Sequence, residues 1–440
     1  MSRETSDFRY NTGDTKVPWA AVGENYNAAD VYEFVRFLMP GKGTEYSTAL
    51  KQTKIALGRL AKVSAAPGKL SMGDKVAEVE KAIDRYLAVE EGSSLFVTNC
   101  TAALELGYRY AGIGPGDEVI VPTNTFIATV AYPLSVGAKL VFADVDPVTV
   151  NMDPKDVAKK ITKRTKMIVP VHIGGYPCEM DAIMKLAKRH DIVVMEDAAH
   201  GFGGEYKGRK LGTIGHFGCF SMHEVKNCTS FGEGGVFVSN VPEYRAEARR
   251  ARFLGVDFTS KIRNWLYNVS LVRGKGDVRY QASNNASVTE IQAVALLQQL
   301  KRYPKILKER AREAAYVTKR LSGIAGVRPQ LLGDADHKPT FHLYQLQIDP
   351  GVVGGDIQTL KVKLEQKGVT NIPHFGPIYR FAAATGKGFD AKRTAKTCPV
   401  TEQVFDRCYT HLPIYGLTKE QLAFMADAVL ASVAEMKRGE

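Results

Sequence analysis

The chain contains 440 residues, of which 45% are hydrophobic and 24% are charged, close to the averages for soluble globular proteins. This composition excludes a disordered, collagen-like or coiled-coil protein, and the length predicts two lobes. The 59 Lys and Arg residues exceed the 47 Asp and Glu residues, which gives a net charge of +12. The basic residues are scattered and form no arm or tail suited to a nucleic-acid duplex. We therefore interpret most of the charge as solvated surface and expect no nucleic-acid partner.

The apolar runs and the cysteines indicate the compartment. No apolar run approaches the ~20 residues that a membrane helix needs. The first residues, MSRETSDFRYN, lack the apolar core of a signal peptide. The six cysteines form no C-x-x-C pair, so we expect reduced thiols and no zinc site. Together these features predict a cytoplasmic protein with no membrane span and no metal site.

The N-terminal segment, residues 1–75, is polar and interrupted by proline and glycine. It contains a predicted short helix at Ala28–Leu38 and an insertion at 43–72 whose structure the pattern does not indicate. Apolar residues then recur at helical spacing in DKVAEVEKAIDRYL, which predicts a helix after Gly73.

Strand-like and helix-like segments alternate from about residue 93. The strand-like segments are SLFVTN, EVIVP, KLVFADV, TKMIVPVH and DIVVMEDAA, and helical patterns such as TAALELGYRYAG and MDAIMKLAKRH separate them. Near-continuous Val and Ile runs in a βαβα order predict a largely parallel sheet covered on both faces. GCFSMH and GGVFVSN predict two further strands, joined by a turn that carries Lys226.

The C-terminal part is predicted to begin with two long helices, Ser287–Tyr303 and Ile306–Leu321. The last 110 residues then mix short strands and helices, which is typical of a smaller α/β lobe. The predicted organisation is an N-terminal segment at 1–75 that packs on the small lobe or on a dimer partner, a large sheet domain at 76–295 and a small domain at 296–440.

Polar side chains follow several predicted strands, where open α/β sheets bind ligands. Thr98–Thr101 opens a helix, and Asp197, His200 and Lys226 follow later strands. Each also has an ordinary structural interpretation: a helix cap, a buried ion pair, a packed histidine and a surface lysine. A phosphate-bearing pyridine aldehyde would use them together, because it needs a lysine for a Schiff base and a carboxylate for its ring nitrogen. It also needs an aromatic face, for which Phe126 is suited, and an anion nest.

The sequence resembles the DegT-type family of pyridoxal-phosphate (PLP) aminotransferases, which aminate keto-sugars and keto-cyclitols. The resemblance runs from about residue 70 to 435 and is carried by TNCTAALELGYRYAGIGPGDEVIVPTNTFIATV, VVMEDAAHGFGGEYKGRKLGTIGHFGCFSMHEVKN and FGEGGVFVSN. It implies a PLP fold-type I aminotransferase of α/β class, with a mainly parallel seven-stranded sheet domain and a smaller C-terminal α/β domain. It also implies a homodimer with shared active sites.

The resemblance assigns roles to individual residues. The family lysine that binds PLP as a Schiff base falls on Lys226, and the aspartate that pairs with the pyridine nitrogen falls on Asp197. The residue beside the ring oxygen falls on His200. The other implied cofactor contacts are a phosphate loop at Cys100, Thr101 and Ala102, the stacking ring of Phe126, the phosphate-binding Ser221, and Asn285 lent by the neighbouring subunit.

Three positions depart from the family pattern. Family members usually have Gly at the position of Cys100, and the Cβ of Cys100 narrows the backbone site that binds the phosphate. Family members often have Arg at the position of Ser287, so the substrate contacts made by the loop that contains Ser287 are undetermined. The segment 43–72 is longer than usual.

The resemblance implies transfer of an amino group from L-glutamate or L-glutamine to a nucleotide-linked keto-deoxyhexose. A keto-cyclitol and a free or phosphorylated keto-sugar are alternative acceptors. The candidate substrate contacts are His223, His342, Tyr344, His374, Tyr379 and Arg380. A PLP-dependent sugar dehydratase would carry His in place of Lys226. A fold-type I lyase and a non-catalytic DNA-binding regulator are the more distant alternatives.

Overall fold

The computed structural model describes residues 26–64, 70–263, 266–370, 376–381 and 391–439. The chain forms two compact units. One contains the described residues up to Gly73 together with Asp257–Asn268, and the other contains Asp74–Val256 with the described residues from Val269 onward. Among the described residues, no helix combines the length and the apolar character needed to cross a membrane.

The smaller unit contains two helices, Ala28–Leu38 and Thr44–Ala61, and all but the outermost residues of the paired strands Val256–Arg263 and Leu266–Val269. The first helix begins at an Asn27 cap whose side chain accepts hydrogen bonds from the backbone N–H groups of Ala29 and Asp30. The prediction at Ala28–Leu38 is confirmed. The segment 43–72, for which we predicted no structure, contains the second helix.

A seven-stranded sheet forms the centre of the larger unit. In chain order its strands are β1 (Ser94–Val97), β2 (Glu118–Pro122), β3 (Lys139–Ala143), β4 (Thr165–Ile168), β5 (Val193–Asp197), β6 (Phe217–Ser221) and β7 (Gly235–Ser239). Their spatial order is β1-β7-β6-β5-β4-β2-β3, and β7 alone runs antiparallel to its neighbours. The predicted mainly parallel seven-stranded sheet is confirmed.

Helices cover both faces of this sheet, which is why its strands are buried almost throughout. Crossover helices connect β1 through β5 in the predicted alternation, whereas the connection from β5 to β6 contains the short strands Glu205–Tyr206 and Arg209–Lys210. The helices of this part are Asp74–Leu87, Cys100–Tyr110, Ala128–Ser135, Pro154–Lys160, Met180–His190 and Pro242–Ala251, with a 3₁₀ turn at Ile173–Gly175.

The turn that carries Lys226 lies at the carboxyl end of β6, because β6 and β7 pair as antiparallel strands on either side of it. Ser221 at the end of β6 pairs with Gly235 at the start of β7, so the intervening residues emerge at the carboxyl end of β6. A Cβ on Gly235 would come 2.2 Å from the carbonyl carbon of Asn99. Glycine is therefore required for β7 to approach the start of the helix Cys100–Tyr110.

The C-terminal part begins with one continuous helix, Glu290–Leu321. Our prediction of two helices, Ser287–Tyr303 and Ile306–Leu321, was wrong, because the helix continues through Pro304. A proline removes one backbone hydrogen bond, but Tyr303 beside it is fully buried and its hydroxyl donates to the Phe202 carbonyl. The predicted domain boundary between 295 and 296 lies inside this helix.

A three-stranded sheet packs against this helix and two others, around a separate apolar core. Its strands are Val327–Arg328, Tyr344–Ile348 and Tyr409–Leu412, and the packed helices are Ile357–Gln366 and Lys419–Arg438. Shorter helical segments are Pro350–Val353, Ile378–Arg380, Ala391–Thr397, Pro399–Gln403 and Val404–Cys408. Two small sheets complete the larger unit, one from Glu205–Tyr206, Arg209–Lys210 and His337–Lys338 and the other from Val272–Arg273 and Arg279–Tyr280.

Candidate active site

A cavity of about 430 Å³ opens at the carboxyl ends of β1, β2, β5 and β6. Eight of the residues predicted from the sequence line it: Cys100, Thr101, Phe126, Asp197, His200, Ser221, His223 and Lys226. The other lining residues are Asn99, Leu104, Thr125, Ala128, Val171, Ile173, Ala199, Val225 and Glu233. The cavity thus lies where an open α/β sheet binds its ligands.

Asp197 is the last residue of β5 and is 5% exposed. Its Oδ2 accepts a hydrogen bond of 2.7 Å from the Thr129 hydroxyl, and its Oδ1 accepts one of 3.1 Å from the Ala199 N–H. Burial raises the pKa of this carboxyl, and the two hydrogen bonds and the nearby Lys226 oppose the rise. A buried carboxylate that accepts its hydrogen bonds from a hydroxyl and a backbone N–H is suited to receive a cationic ligand.

Glu196, the residue before Asp197, points to the other side of the strand. Its carboxylate accepts three backbone N–H bonds from residues 212–215, and it lies 3.0 Å from His172 Nε2. Neighbouring side chains on a strand point to opposite faces. Glu196 therefore stabilises a loop, and Asp197 alone of the two faces the cavity.

Lys226 lies in the turn between β6 and β7 and lines the cavity. Burial lowers the pKa of the Lys226 ammonium, and the nearby Cys100 and Asp197 act in the opposite direction. A lowered pKa makes the neutral amine more available as a nucleophile or base. The amine and the Asp197 carboxylate thus interact electrostatically across the same cavity.

The start of the helix Cys100–Tyr110 forms another wall. The first N–H groups of a helix have no intrahelical acceptor and attract anions. Asn99 caps this helix, and its Oδ1 accepts the Ala102 N–H at 2.9 Å. Because the Ala102 N–H is already bonded to Asn99, the N–H groups of Cys100 and Thr101 are better placed to bind an anion. Burial also raises the pKa of the Cys100 thiol well above its usual value, which keeps this thiol protonated.

His200 lines the cavity and packs against a second histidine. Its ring stacks on His342, with ring centroids 4.1 Å apart and planes inclined by 30°. Its backbone carbonyl accepts a 2.5 Å hydrogen bond from the Thr340 hydroxyl. Contacts with Thr340 and His342 thus fix the position of His200.

The rim of the cavity is partly apolar. Phe126 is 57% exposed and Val225 is 62% exposed. His223 Nε2 lies 3.6 Å from Glu233 Oε1 on the same rim. Phe126 contributes a phenyl ring to the cavity lining, which is suited to cover a flat ring.

The other predicted site residues do not line the cavity. Ala102 is held by the Asn99 cap, and Asn285 is exposed, with its Oδ1 accepting hydrogen bonds from Ser287. His342 lies behind His200. Tyr344 is buried, and its hydroxyl bonds to Thr318.

Tyr379 and Arg380 are engaged within the chain. The Tyr379 hydroxyl donates to Glu402, and its ring packs on Phe142 at 5.6 Å between centroids. The Arg380 guanidinium forms two hydrogen bonds to the Asp406 carboxylate, of 2.6 and 2.9 Å, and an ion pair with Glu402. The structure therefore gives both residues intramolecular partners. His374 lies outside the described residues.

Sequence reasoning missed Thr129 and Asn227, and it considered a helix cap within Thr98–Thr101 without assigning the cap to Asn99. Thr129 follows Thr125 by one helical turn in TNTFIATV, and this spacing was the available signal. Asn227 follows Lys226 directly and is buried. Its long-range contacts with Thr340 and His342 distinguish it from an ordinary turn residue.

The cavity fits PLP in its chemistry. The Asp197 carboxyl, whose ionised form is favoured by hydrogen bonds from the Thr129 hydroxyl and the Ala199 N–H, is suited to a protonated ring nitrogen. The Lys226 amine, whose pKa burial lowers, is suited to a carbonyl carbon. The helix start at Cys100 and the Ser221 hydroxyl are suited to a phosphate. All four groups line one cavity large enough for a small ligand.

Comparison with known proteins identifies the family. Residues 56–430 match the model of the DegT/DnrJ/EryC1/StrS aminotransferase family. The chain is 34% identical over 340 residues to the UDP-4-amino-4-deoxy-L-arabinose–oxoglutarate aminotransferase of Shewanella sediminis, covering 77% of this chain and 83% of that protein. It is 33% identical over 369 residues to the GDP-perosamine synthase of Caulobacter vibrioides, covering 83% and 91%.

Solved structures agree with this family. Spr1654 of Streptococcus pneumoniae is known in PLP and PMP (pyridoxamine phosphate) forms. Its PMP form is 26% identical to this chain, with a TM-score of 0.73, and the match covers 84% of this chain and 94% of that one. The chain belongs to the DegT/DnrJ/EryC1/StrS family and is a PLP-dependent aminotransferase.

Proposed function

We propose that the protein moves an amino group from L-glutamate or L-glutamine to the ketone of a nucleotide-linked keto-deoxyhexose. The observation that carries the proposal is the meeting of Lys226, Asp197 and a helix start on one cavity. Two relatives of at least 33% identity are named for a UDP-linked and a GDP-linked sugar, which supports a nucleotide-linked acceptor. Both matches cover more than four fifths of the relative's length.

Each residue of the cavity would contact a different part of the cofactor. Lys226 would hold the carbonyl carbon, and Asp197 would face the ring nitrogen. Phe126 would cover the ring face, and His200 would lie beside the phenolic oxygen. The start of the helix Cys100–Tyr110 and the Ser221 hydroxyl would bind the phosphate. When bound, PLP supplies an electron-withdrawing ring that stabilises the negative charge left when an amino acid loses its α-proton.

Lys226 is also the proposed base. Once its amine is free, Lys226 Nζ takes the α-proton of the amino donor, and it returns a proton to the acceptor carbon in the second half of the reaction. Burial lowers the pKa of Lys226, so more of the amine is neutral near neutral pH. Asp197 stays ionised beside a protonated ring nitrogen, because the added positive charge opposes the effect of burial.

A homodimer with shared sites is part of the proposal. Asn285 is exposed and does not line the cavity of its own chain. The family resemblance assigns it to the phosphate of the neighbouring subunit. We also propose that the protein acts in the cytoplasm, that residues 76–295 carry the cofactor and that residues 296–440 form the lobe that closes over it.

The acceptor can be identified with a panel of keto-sugars. Purified protein loaded with PLP is incubated with L-glutamate and, in parallel, UDP-linked, dTDP-linked and GDP-linked keto-deoxyhexoses, free keto-sugars and keto-cyclitols. We expect amino-sugar product and 2-oxoglutarate in equal amounts with at least one nucleotide-linked acceptor. Turnover with cyclitols or free sugars alone would replace the proposed acceptor class. Loss of water from the sugar without transfer of nitrogen would indicate a dehydratase instead.

A further inference from the structure

Asn227 follows Lys226 in the chain, yet its side chain contacts a distant segment. It is 8% exposed and does not line the cavity. Its Nδ2 donates a 2.9 Å hydrogen bond to the Thr340 carbonyl, and its Oδ1 lies 2.9 Å from His342 Nδ1. The turn that presents the Lys226 amine is therefore fastened to residues 340–342 by two hydrogen bonds.

These two bonds define the state of His342. Because the Asn227 amide nitrogen donates to a carbonyl, its oxygen faces the imidazole and must accept from Nδ1–H. Burial lowers the pKa of His342 well below its usual value, and the nearby positive charges of Lys226 and Arg310 act in the same direction. His342 is therefore a neutral imidazole with its proton on Nδ1.

The segment 340–342 also holds His200. The Thr340 hydroxyl donates to the His200 carbonyl at 2.5 Å, and the two imidazole rings stack. The segment is in turn fixed to the 3₁₀ turn at Ile173–Gly175: Thr340 N–H donates to the Gly175 carbonyl and His342 N–H to the Gly174 carbonyl. A Cβ on Gly175 would lie 1.9 Å from the Thr340 hydroxyl oxygen, so this close approach requires glycine.

We propose that Asn227 is a positioning residue that acts with His342 to set the place of the Lys226 amine relative to the His200 side of the cavity. The inference rests on the proposed roles of Lys226 and His200 at the cofactor. Supporting residues of this kind act by fixing the rotamer and backbone of a reactive group. Neither Asn227 nor His342 needs to touch the cofactor or a substrate.

The first test uses protein without cofactor. Nitrogen-15 spectra of the histidine rings report the protonated nitrogen of each imidazole, and His342→Ala assigns the signal. We expect a neutral Nδ1–H form of His342 in the wild type, and loss of that preference in Asn227→Ala. An Nε2–H form in the wild type, or an unchanged His342 signal in Asn227→Ala, would overturn the proposal.

The second test measures how fast PLP is captured covalently by cofactor-free protein, from the rise of the Schiff-base absorbance after mixing. We expect Asn227→Ala and His342→Ala each to slow capture about tenfold, and the double variant to be no slower than the slower single variant. Residues that act as one unit give such non-additive effects. Effects that multiply in the double variant would show that the two residues act independently and would overturn the proposal.

A control separates positioning from general stability. Thr318→Val removes the buried hydrogen bonds of Thr318 to Tyr344 and to the Gln330 carbonyl, of 2.9 and 3.3 Å, and Thr318 does not line the cavity. It should lower the melting temperature while capture stays at the wild-type rate. If Thr318→Val and Asn227→Ala slowed PLP capture equally, Asn227 would contribute only to stability and the proposal would be overturned. If the wild type itself captured no PLP, the proposed site would fail and the inference with it, whereas normal capture by all variants would overturn the inference alone.

Discussion

The Thr129 hydroxyl donates a 2.7 Å hydrogen bond to Asp197 Oδ2 across 68 positions of the chain. Thr125 Oγ1 lies 2.5 Å from Thr129 Oγ1 and donates to it, since the Thr129 proton is used on Asp197. The loop after β2 and the end of β5 are thereby joined at the buried carboxylate. This chain of hydroxyls stabilises the ionised form of Asp197, which burial alone disfavours.

Thr129→Val should therefore weaken cofactor binding without changing any residue of the cavity lining. A hydrogen bond to a charged group contributes roughly 1.5–3 kcal/mol. We expect the dissociation constant for PLP to rise about tenfold and the free energy of unfolding to fall by about 1–2 kcal/mol. Absorbance titration and urea unfolding measure the two effects. Ser135→Ala, which removes an exposed hydroxyl bonded only to the Tyr132 carbonyl, is the control. Unchanged PLP affinity in Thr129→Val would contradict the role given to the hydroxyl.

Asp197→Asn should change how the stability of the cofactor-free protein depends on pH. Burial raises the folded-state pKa of Asp197 above its unfolded value. The folded protein then binds more protons than the unfolded chain between these two values, so the contribution of Asp197 is greatest at low pH and is lost as pH rises through the folded-state pKa. Removing this titration should flatten the pH profile of unfolding in that window. An identical profile in both proteins, measured by urea unfolding from pH 4 to 8, would contradict the assignment.

The sheet and the site were predictable to different degrees. Val and Ile runs in EVIVP and DIVVMEDAA indicate buried parallel strands, because strands covered on both faces carry near-continuous apolar runs. The ends of those strands then located Asp197 and His200 at the cavity. The turn that carries Lys226 was also predictable, since GCFSMH and GGVFVSN are strand-like on either side of it, but the sequence did not indicate that these strands pair antiparallel.

Long-range contacts were not predictable from local patterns. His342 and Arg380 have the chemistry of substrate contacts, but His342 is bonded to Asn227 and Arg380 to Asp406. Neither partner is near in sequence, so no periodicity reveals it. The break expected at Pro304 was also wrong: the helix continues through this proline, and the neighbouring Tyr303 is fully buried against a segment distant in sequence.

Lys226→Ala should abolish covalent binding of PLP. We expect loss of the yellow band near ~420 nm, which belongs to the cofactor joined to a lysine, and a fall in transamination of at least about 100-fold from loss of the base. Lys207→Ala is the matched control, because Lys207 pairs with Asp181 at the surface. In the wild type, L-glutamate should bleach the band. Transamination by Lys226→Ala at the wild-type rate would assign the chemistry to another lysine.

Ser221→Ala should weaken binding of the phosphate and leave the covalent bond intact. Ser221 is 8% exposed, lines the cavity and ends β6 five positions before Lys226. Loss of one hydrogen bond to a dianion corresponds to about a tenfold rise in the PLP dissociation constant. Pyridoxal without phosphate should bind Ser221→Ala and the wild type equally well. If both ligands lost affinity to the same extent, the serine would not act on the phosphate.

Asn285 tests whether two subunits share each site. Asn285 does not line the cavity of its own chain, and its side chain accepts hydrogen bonds from Ser287, whose position often holds Arg in the family. Asn285→Ala and Lys226→Ala should each be nearly inactive as homodimers. A heterodimer of the two variants should regain up to about half of the wild-type activity, because one of its two sites would contain both native residues. Differently tagged subunits, purified in two steps, allow the heterodimer to be isolated and its activity measured. The absence of any recovery in a verified heterodimer would place Asn285 in the site of its own chain or outside both sites.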